Sequence, residues 1–254
     1  HYLRRSNQVI YAVTEEEPDP VPLNEDGGRY FFYYDPLDGS SNIKHNLPVG
    51  FMFAVAKRNL EGPEDGRLRK GSELRAAGIV LIPNGVFTLA LADTGVFRFH
   101  LDETMTYVIP ENSERLMMPE KEKEWELSFN ASNRTTFSKR VQEWINEHEP
   151  RYNFRYMGAL AADFHRLLSN GGMFMYPAIV NHPKPEKNRP QGKLRLLYEA
   201  NVAAFIAREA GGTAIDENGN DILEIEPESP HQRTALYVGS PPLIESMRER
   251  LRKQ

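Results

Sequence analysis

The stretch Tyr33-Tyr34-Asp35-Pro36-Leu37-Asp38-Gly39-Ser40-Ser41-Asn42 places two carboxylates, two hydroxyls and a flexible glycine directly after a run of aromatic residues. Residues 29–34 read as a short strand of large aromatic side chains. Asp35-Pro36 is expected to end it, because proline removes a ladder donor and restricts the residue before it. Chemistry at the end of a buried strand is typical of α/β proteins. Asp35 and Asp38, with the Leu37 carbonyl between them, offer the oxygen ligands that Mg²⁺ prefers. Gly39-Ser40-Ser41 adds backbone N–H groups that approach a phosphate closely, particularly if the next residues open a helix. The same residues also read as an Asx turn followed by a serine-rich loop.

Working outward, the composition is compatible with an enzyme without naming one. The chain has 254 residues, 40% of them hydrophobic, enough for one large core or two smaller ones. Its 31 basic and 36 acidic residues give a formal charge of −5, which points away from nucleic acid. A basic, proline-containing stretch at 184–193 reads as a local loop able to hold one anionic ligand. No stretch is long and apolar enough to cross a bilayer, and His1-Tyr2-Leu3-Arg4-Arg5 lacks a signal peptide's apolar segment, so a soluble protein with no membrane partner is expected. The absence of cysteine excludes disulfides, thiolate ligands and cysteine nucleophiles, and fits a cytoplasmic location.

Organisation changes near residues 110–124, a charged stretch with two prolines that reads as a linker between lobes 1–120 and 121–254. Before it, strand candidates fall at 9–13, 30–34, 50–57, 76–82, 86–92 and 96–100, with Asp93-Thr94-Gly95 as a hairpin signal. After it the period becomes helical: helices are expected at 135–147, 160–170, 196–210 and 241–253, with strands at 173–178 and 236–239. Helices alternating with strands make the fold class α/β.

Other polar groups matter if they converge on the aspartate loop. Glu15-Glu16-Glu17 follows an apolar strand candidate, so its carboxylates are candidates for a second metal and a general base; a solvated loop is the plainer account. Glu199 sits in a strongly apolar helix candidate, as a ligand or a helix-cap carboxylate. Arg155, Tyr156, Tyr176, Lys193 and Arg195 have the chemistry of an organic-phosphate clamp, although any one of them also suits a surface ion pair or a half-buried ring.

Across essentially its whole length the chain resembles class I fructose-1,6-bisphosphatases, through residues 35–43, Glu15-Glu16, Arg155-Tyr156 with Gly158, Asp163-Phe164-His165-Arg166, Tyr176-Pro177 and the run from Gly192 to Glu199. The resemblance implies a two-lobed layered sugar-phosphatase fold with mixed β-sheets flanked by helices, a homotetramer, and Mg²⁺-dependent hydrolysis of the C1 phosphate of fructose 1,6-bisphosphate in gluconeogenesis or carbon fixation. It implies metal ligation by Glu15, Asp35, the Leu37 carbonyl, Asp38 and Glu199, with Glu16 polarising the attacking water. Gly39, Ser40 and Ser41 would surround the transferred phosphate, with Arg195 near it. Asn130, Tyr156, Tyr176, Lys193 and, from a neighbouring subunit, Arg155 would hold the distal phosphate. Two or three Mg²⁺ ions are implied, with Mn²⁺ or Zn²⁺ as substitutes.

Two features depart from the family pattern. The family has a long helical amino-terminal region, carrying an assisting aspartate and in regulated members an AMP site, whereas here fourteen residues precede Glu15. The expectation is that the sequence is a fragment, with residues 2–5 as a helix remnant; a natively short chain would instead bind sugar phosphates with little turnover. Where the family usually has Asn-Glu-Gly-Tyr, this chain reads Asn130-Ala131-Ser132-Asn133, and Ala159 and Leu160 replace the common serine and methionine. These changes keep sedoheptulose 1,7-bisphosphate open as an alternative substrate. An inositol-phosphatase-like activity would share the metal loop, but Lys193-Leu194-Arg195 argues against it.

Overall fold

A computed structural model describes residues 2–24, 27–58, 67–83, 85–110, 115–122 and 125–253. A short helix α1 (Tyr2–Arg5) precedes an eight-stranded sheet made of β1 (Val9–Thr14), β2 (Val21–Pro22), β3 (Tyr30–Asp38), β4 (Val49–Lys57), β5 (Leu74–Ile82), β6 (Val86–Leu91), β7 (Gly95–Leu101) and β8 (Tyr107–Val108). The strand order is β2-β1-β3-β4-β5-β6-β7-β8, antiparallel except for the parallel pair β1–β3. The expected hairpin at Asp93-Thr94-Gly95 joins β6 to β7.

A second sheet combines β9 (Glu126–Ser128), β10 (Asn153–Phe154), β11 (Gly172–Tyr176), β13 (Thr213–Ile215) and β15 (Leu236–Gly239), in the order β10-β9-β11-β15-β13. β12 (Leu194–Arg195) and β14 (Arg233–Thr234) form a separate antiparallel pair. The helices are α2 (Lys139–His148), α3 (Leu160–Asn170), α4 (Asn201–Glu209) and α5 (Pro241–Arg252). Among the described residues, no helix is long and apolar enough to cross a membrane.

Period-two burial in β3 explains how the first sheet is anchored. Phe31, Tyr33 and Asp35 point to the buried face, where Met52, Ala54 and Ala56 of β4 join the apolar residues of α3 and α4 in one core. Small residues allow this close packing: a Cβ at Gly50 would lie 2.2 Å from the Ala161 Cβ, so β4 and α3 touch nearly backbone to backbone. A second core gathers Trp144, Ile145, Phe129 and Tyr237 between the second sheet and helices α2 and α5.

Four sequence expectations need correction. β3 does not stop at Asp35-Pro36 but continues to Asp38, because the pairing with β4 shifts register between Asp35 and Asp38, and that irregularity takes up the missing proline donor. The helix expected at 135–147 is split. A 3₁₀ turn, Ala131–Thr136, is followed by extended Ser138, whose hydroxyl accepts from the Val141 N–H and starts α2. The helix expected at 196–210 opens as a π turn, Leu196–Ala200, before α4. The strand expected at 173–178 ends at Tyr176, directly before Pro177. The junction expected at 110–124 falls partly outside the described residues, at 111–114 and 123–124; Leu116 N–H donates to the Val96 carbonyl and Met118 N–H to that of Ala210.

Candidate active site

Strand register brings the distant motifs together. β1 runs parallel to β3 with Thr14 opposite Tyr34, so Glu15, the first residue after β1, falls beside Asp35 near the carboxyl end of β3. In the second sheet β9, β10 and β11 are mutually parallel, with Phe154 opposite Leu127 and Phe174 opposite Ser128. Two residues beyond those pairs lie Asn130, Tyr156 and Tyr176, again at carboxyl strand ends. Both edges face one cavity of about 560 Å³, lined by Glu15, Asp35, Leu37, Asp38, Gly39, Ser40, Ser41, Asn130, Tyr156, Tyr176, Lys193, Arg195 and Glu199. Of the residues singled out from the sequence, Glu16 and Arg155 are exposed and do not line it. The Arg155 guanidinium donates to the Phe154 carbonyl.

At the cavity floor Asp35, Asp38 and Glu199 are buried, and one ligand oxygen from each lies within 4.8 Å of the others. A backbone amide steadies each of them. Leu37 N–H donates to Asp35 at 2.8 Å, Ala161 N–H to Asp38 at 2.7 Å, and Arg195 N–H to Glu199 at 2.6 Å. The last bond explains the π turn: the Glu199 carboxylate reaches back to the first residue before it, and Asn201 N–H then bonds to the Leu196 carbonyl. Glu199 is thus both a capping group and part of the acidic cluster, which joins the two accounts the sequence left apart.

Burial, reinforced by neighbouring carboxylates, pushes Asp35 up to about 6 and Asp38 up to about 7, and holds Glu199 well above the usual carboxylate range. Three buried acids whose oxygens lie within 4.8 Å of one another, held by amides instead of basic side chains, form a donor set suited to a hard divalent cation, which would restore their charged forms. Glu15 stands at the rim, its Oε1 3.8 Å from Arg195 Nε.

The phosphate loop has its own geometry. Gly39 adopts φ +78° before the 3₁₀ turn Ser40–His45, and a Cβ there would meet the Ala159 Cβ at 2.4 Å, so glycine is required both for conformation and for space. Buried Asn42 ties the loop across the molecule by donating to the Pro48 and Met157 carbonyls. The adjoining segment is held by Asp163, which accepts from Ser128 Oγ, Met157 N–H and Gly158 N–H.

A residue not singled out from the sequence, Arg233, also lines the cavity. It stands opposite Arg195 in the β12–β14 ladder, a pairing of strand ends far apart in the chain that no local pattern signals. Lys193, Arg195 and Arg233 therefore set positive charge against the acidic floor.

Two family models match: the fructose-1,6-bisphosphatase N-terminal domain over residues 1–110 and the C-terminal domain over residues 118–252. The chain belongs to the fructose-1,6-bisphosphatase family. It is 62% identical to the class 1 fructose-1,6-bisphosphatase of Syntrophus aciditrophicus over 251 residues, covering 97% of this chain and 75% of that protein. It is 39% identical to the class 1 enzyme of Chlorobium phaeovibrioides, covering 91% of this chain and 70% of that one. A crystal structure of Leishmania major fructose-1,6-bisphosphatase in holo form superposes with a TM-score of 0.85 at 31% identity, covering all of this chain and 80% of that one. Within this family the mixed α/β architecture with an acidic floor and basic wall is a phosphatase fold.

Proposed function

We propose that the chain hydrolyses the C1 phosphate of fructose 1,6-bisphosphate, giving fructose 6-phosphate and inorganic phosphate, as a phosphatase of carbohydrate metabolism. Family membership carries the activity, and the observation that supports it best is one cavity joining the Asp35–Asp38–Glu199 floor to the Asn130, Tyr156, Tyr176 and Lys193 wall. Such a cavity accepts a ligand with phosphate at both ends.

A divalent metal is the family's cofactor. Here Glu15, Asp35, the Leu37 carbonyl, Asp38 and Glu199 would hold two or three Mg²⁺ ions, with Mn²⁺ or Zn²⁺ as substitutes; when bound they supply charge neutralisation at the phosphate and acidify water. The chain's own groups do the rest. The backbone amides of the Gly39-Ser40-Ser41 loop and the Arg195 guanidinium orient the phosphate that leaves. Asn130, Tyr156, Tyr176 and Lys193 grip the distal phosphate and so fix the sugar in line. Glu16, one peptide beyond Glu15 and outside the cavity lining, would help polarise the attacking water once the 15–17 segment turns toward the site. Arg155, directed away from its own cavity, serves the neighbouring site of a homotetramer. Lobe 1–120 supplies Glu15, Asp35, Asp38 and the phosphate loop, lobe 121–254 supplies Glu199 and the distal wall, and we place the protein in the cytoplasm.

The test is phosphate release from fructose 1,6-bisphosphate with and without Mg²⁺; no metal-dependent release would overturn the proposal. Sedoheptulose 1,7-bisphosphate belongs in the same assay, because Asn133 lines the small recess beside Asn130 and Tyr176 where the family usually has a tyrosine.

A further inference from the structure

We propose that His231 is a positioning residue that holds the glutamate segment 15–17 in register with the Arg195–Glu199 turn. This rests on the reading of Glu15 and Glu199 as facing ligands of one metal site. The two glutamates come from opposite ends of the chain, and Glu15, Glu16 and Glu17 are all exposed on a turn after β1. Such a segment needs anchors if its carboxylates are to meet the buried floor at a defined distance.

His231 supplies those anchors on three sides. Its Nε2 lies 2.9 Å from the Glu17 carbonyl oxygen, its Nδ1 lies 2.7 Å from the Tyr198 hydroxyl, and its own carbonyl accepts from Arg195 Nη1 at 3.1 Å. A carbonyl oxygen only accepts, so Nε2 carries a hydrogen; a neutral ring then presents Nδ1 as acceptor for the tyrosine hydroxyl. One tautomer satisfies both neighbours. Tyr198 is fully buried next to Glu199, and its ring meets the imidazole edge-on at 76°. The next residue continues the latch, since Leu196 N–H donates to the Gln232 carbonyl at 2.8 Å. The imidazole thus spans from the peptide just after Glu17 to the side chain just before Glu199. His231 itself does not line the cavity.

The two ring nitrogens can be replaced separately. In His231→Gln the side-chain amide reaches the Nε2 position and can still donate to Glu17; in His231→Asn the amide reaches only the Nδ1 position and the Glu17 bond is lost. The first readout is amide hydrogen exchange of residues 14–19 in metal-free protein, which is independent of turnover. Exchange is expected to accelerate in His231→Ala and His231→Asn and to stay close to wild type in His231→Gln. The second is the Mg²⁺ concentration for half-activation, expected to rise about tenfold in His231→Ala and His231→Asn, with KM for fructose 1,6-bisphosphate changed by less than about twofold and recovery in His231→Gln. Equal exchange and equal Mg²⁺ dependence in wild type and His231→Asn would overturn the role. So would equal losses in His231→Asn and His231→Gln, which would mark a packing defect. Wild-type protein inactive on any sugar bisphosphate would instead overturn the functional reading, while the exchange result would still decide whether His231 holds the segment.

Discussion

Asp38, at the end of β3, accepts a hydrogen bond from the Ala161 N–H in the first turn of α3, at 2.7 Å and across 123 residues of sequence. This bond locks the acidic floor to the helix that carries Asp163, and so couples the two halves of the cavity. The positive end of a helix also favours the ionised form of the carboxylate that faces it.

Asp38→Asn keeps the side-chain shape and removes a ligand charge. Turnover with fructose 1,6-bisphosphate should fall by more than about a hundredfold, roughly 2.7 kcal/mol of barrier, and Mg²⁺ affinity should weaken, while far-UV circular dichroism stays unchanged. Turnover within about threefold of wild type at unchanged Mg²⁺ dependence would remove Asp38 from the metal site.

Asp163→Ala should destabilise the fold through the site's scaffold. The buried carboxylate accepts from Ser128 Oγ, Met157 N–H and Gly158 N–H, and its loss strands those donors. A loss of about 3 kcal/mol in urea unfolding is expected. A change below about 0.5 kcal/mol would show that water replaces the carboxylate at no cost.

Metal and pH should act against each other. Burial first, and neighbouring carboxylates second, raise Asp35 to about 6 and Asp38 to about 7 in the metal-free protein. A carboxyl whose pKa is raised on folding binds its proton more tightly in the folded state than in the unfolded chain. Its contribution to stability is therefore complete below the ordinary value of 3.8 and is lost as pH rises through about 7. Chelator-treated protein should melt at a lower temperature at about pH 8 than at about pH 5, and Mg²⁺ should raise the melting temperature more at the higher pH. A Mg²⁺ effect equal at both pH values would contradict the burial of these acids as metal ligands.

Arg155→Ala tests sharing between subunits. The exposed guanidinium turns to the Phe154 carbonyl of its own chain and not into its own cavity. Binding of a sugar bisphosphate should weaken by about tenfold or more, with hydrolysis of a small monophosphate nearly unchanged. Mixed oligomers of Arg155→Ala and Asp38→Asn subunits should regain part of the lost activity, because some sites then combine intact ligands with an intact neighbouring arginine. No recovery in verified mixed oligomers would confine Arg155 to its own subunit.

Local sequence carried a large share of the fold. The helices at 160–170 and 241–253 and the strands around 50–57, 76–82 and 86–92 lie within two residues of their observed bounds, because each buries one face and its period is therefore written in its own residues. The misreadings cluster at the site. Pro36 did not end β3, because pairing with β4 accommodates it, and the helix after Arg195 opened as a π turn, because Glu199 folds back onto the Arg195 amide. The first cause lies in a neighbouring strand, outside any local window; the second is a single side-chain bond across four residues that the apolar helical period does not register.

The sequence by itself determined the chemistry: the Asp35–Asn42 loop, the glutamates at 15 and 199 and the basic pair at 193 and 195 are composition placed at fixed positions. Only the tertiary structure decided their meeting. The parallel register of β1 with β3 set Glu15 beside Asp35, and the β12–β14 ladder set Arg233 beside Arg195. Long-range pairing also brought His231 between Glu17 and Tyr198. Such contacts join segments as far as 214 residues apart. Their geometry follows from the packing of whole sheets and helices, which no window of neighbouring residues encodes.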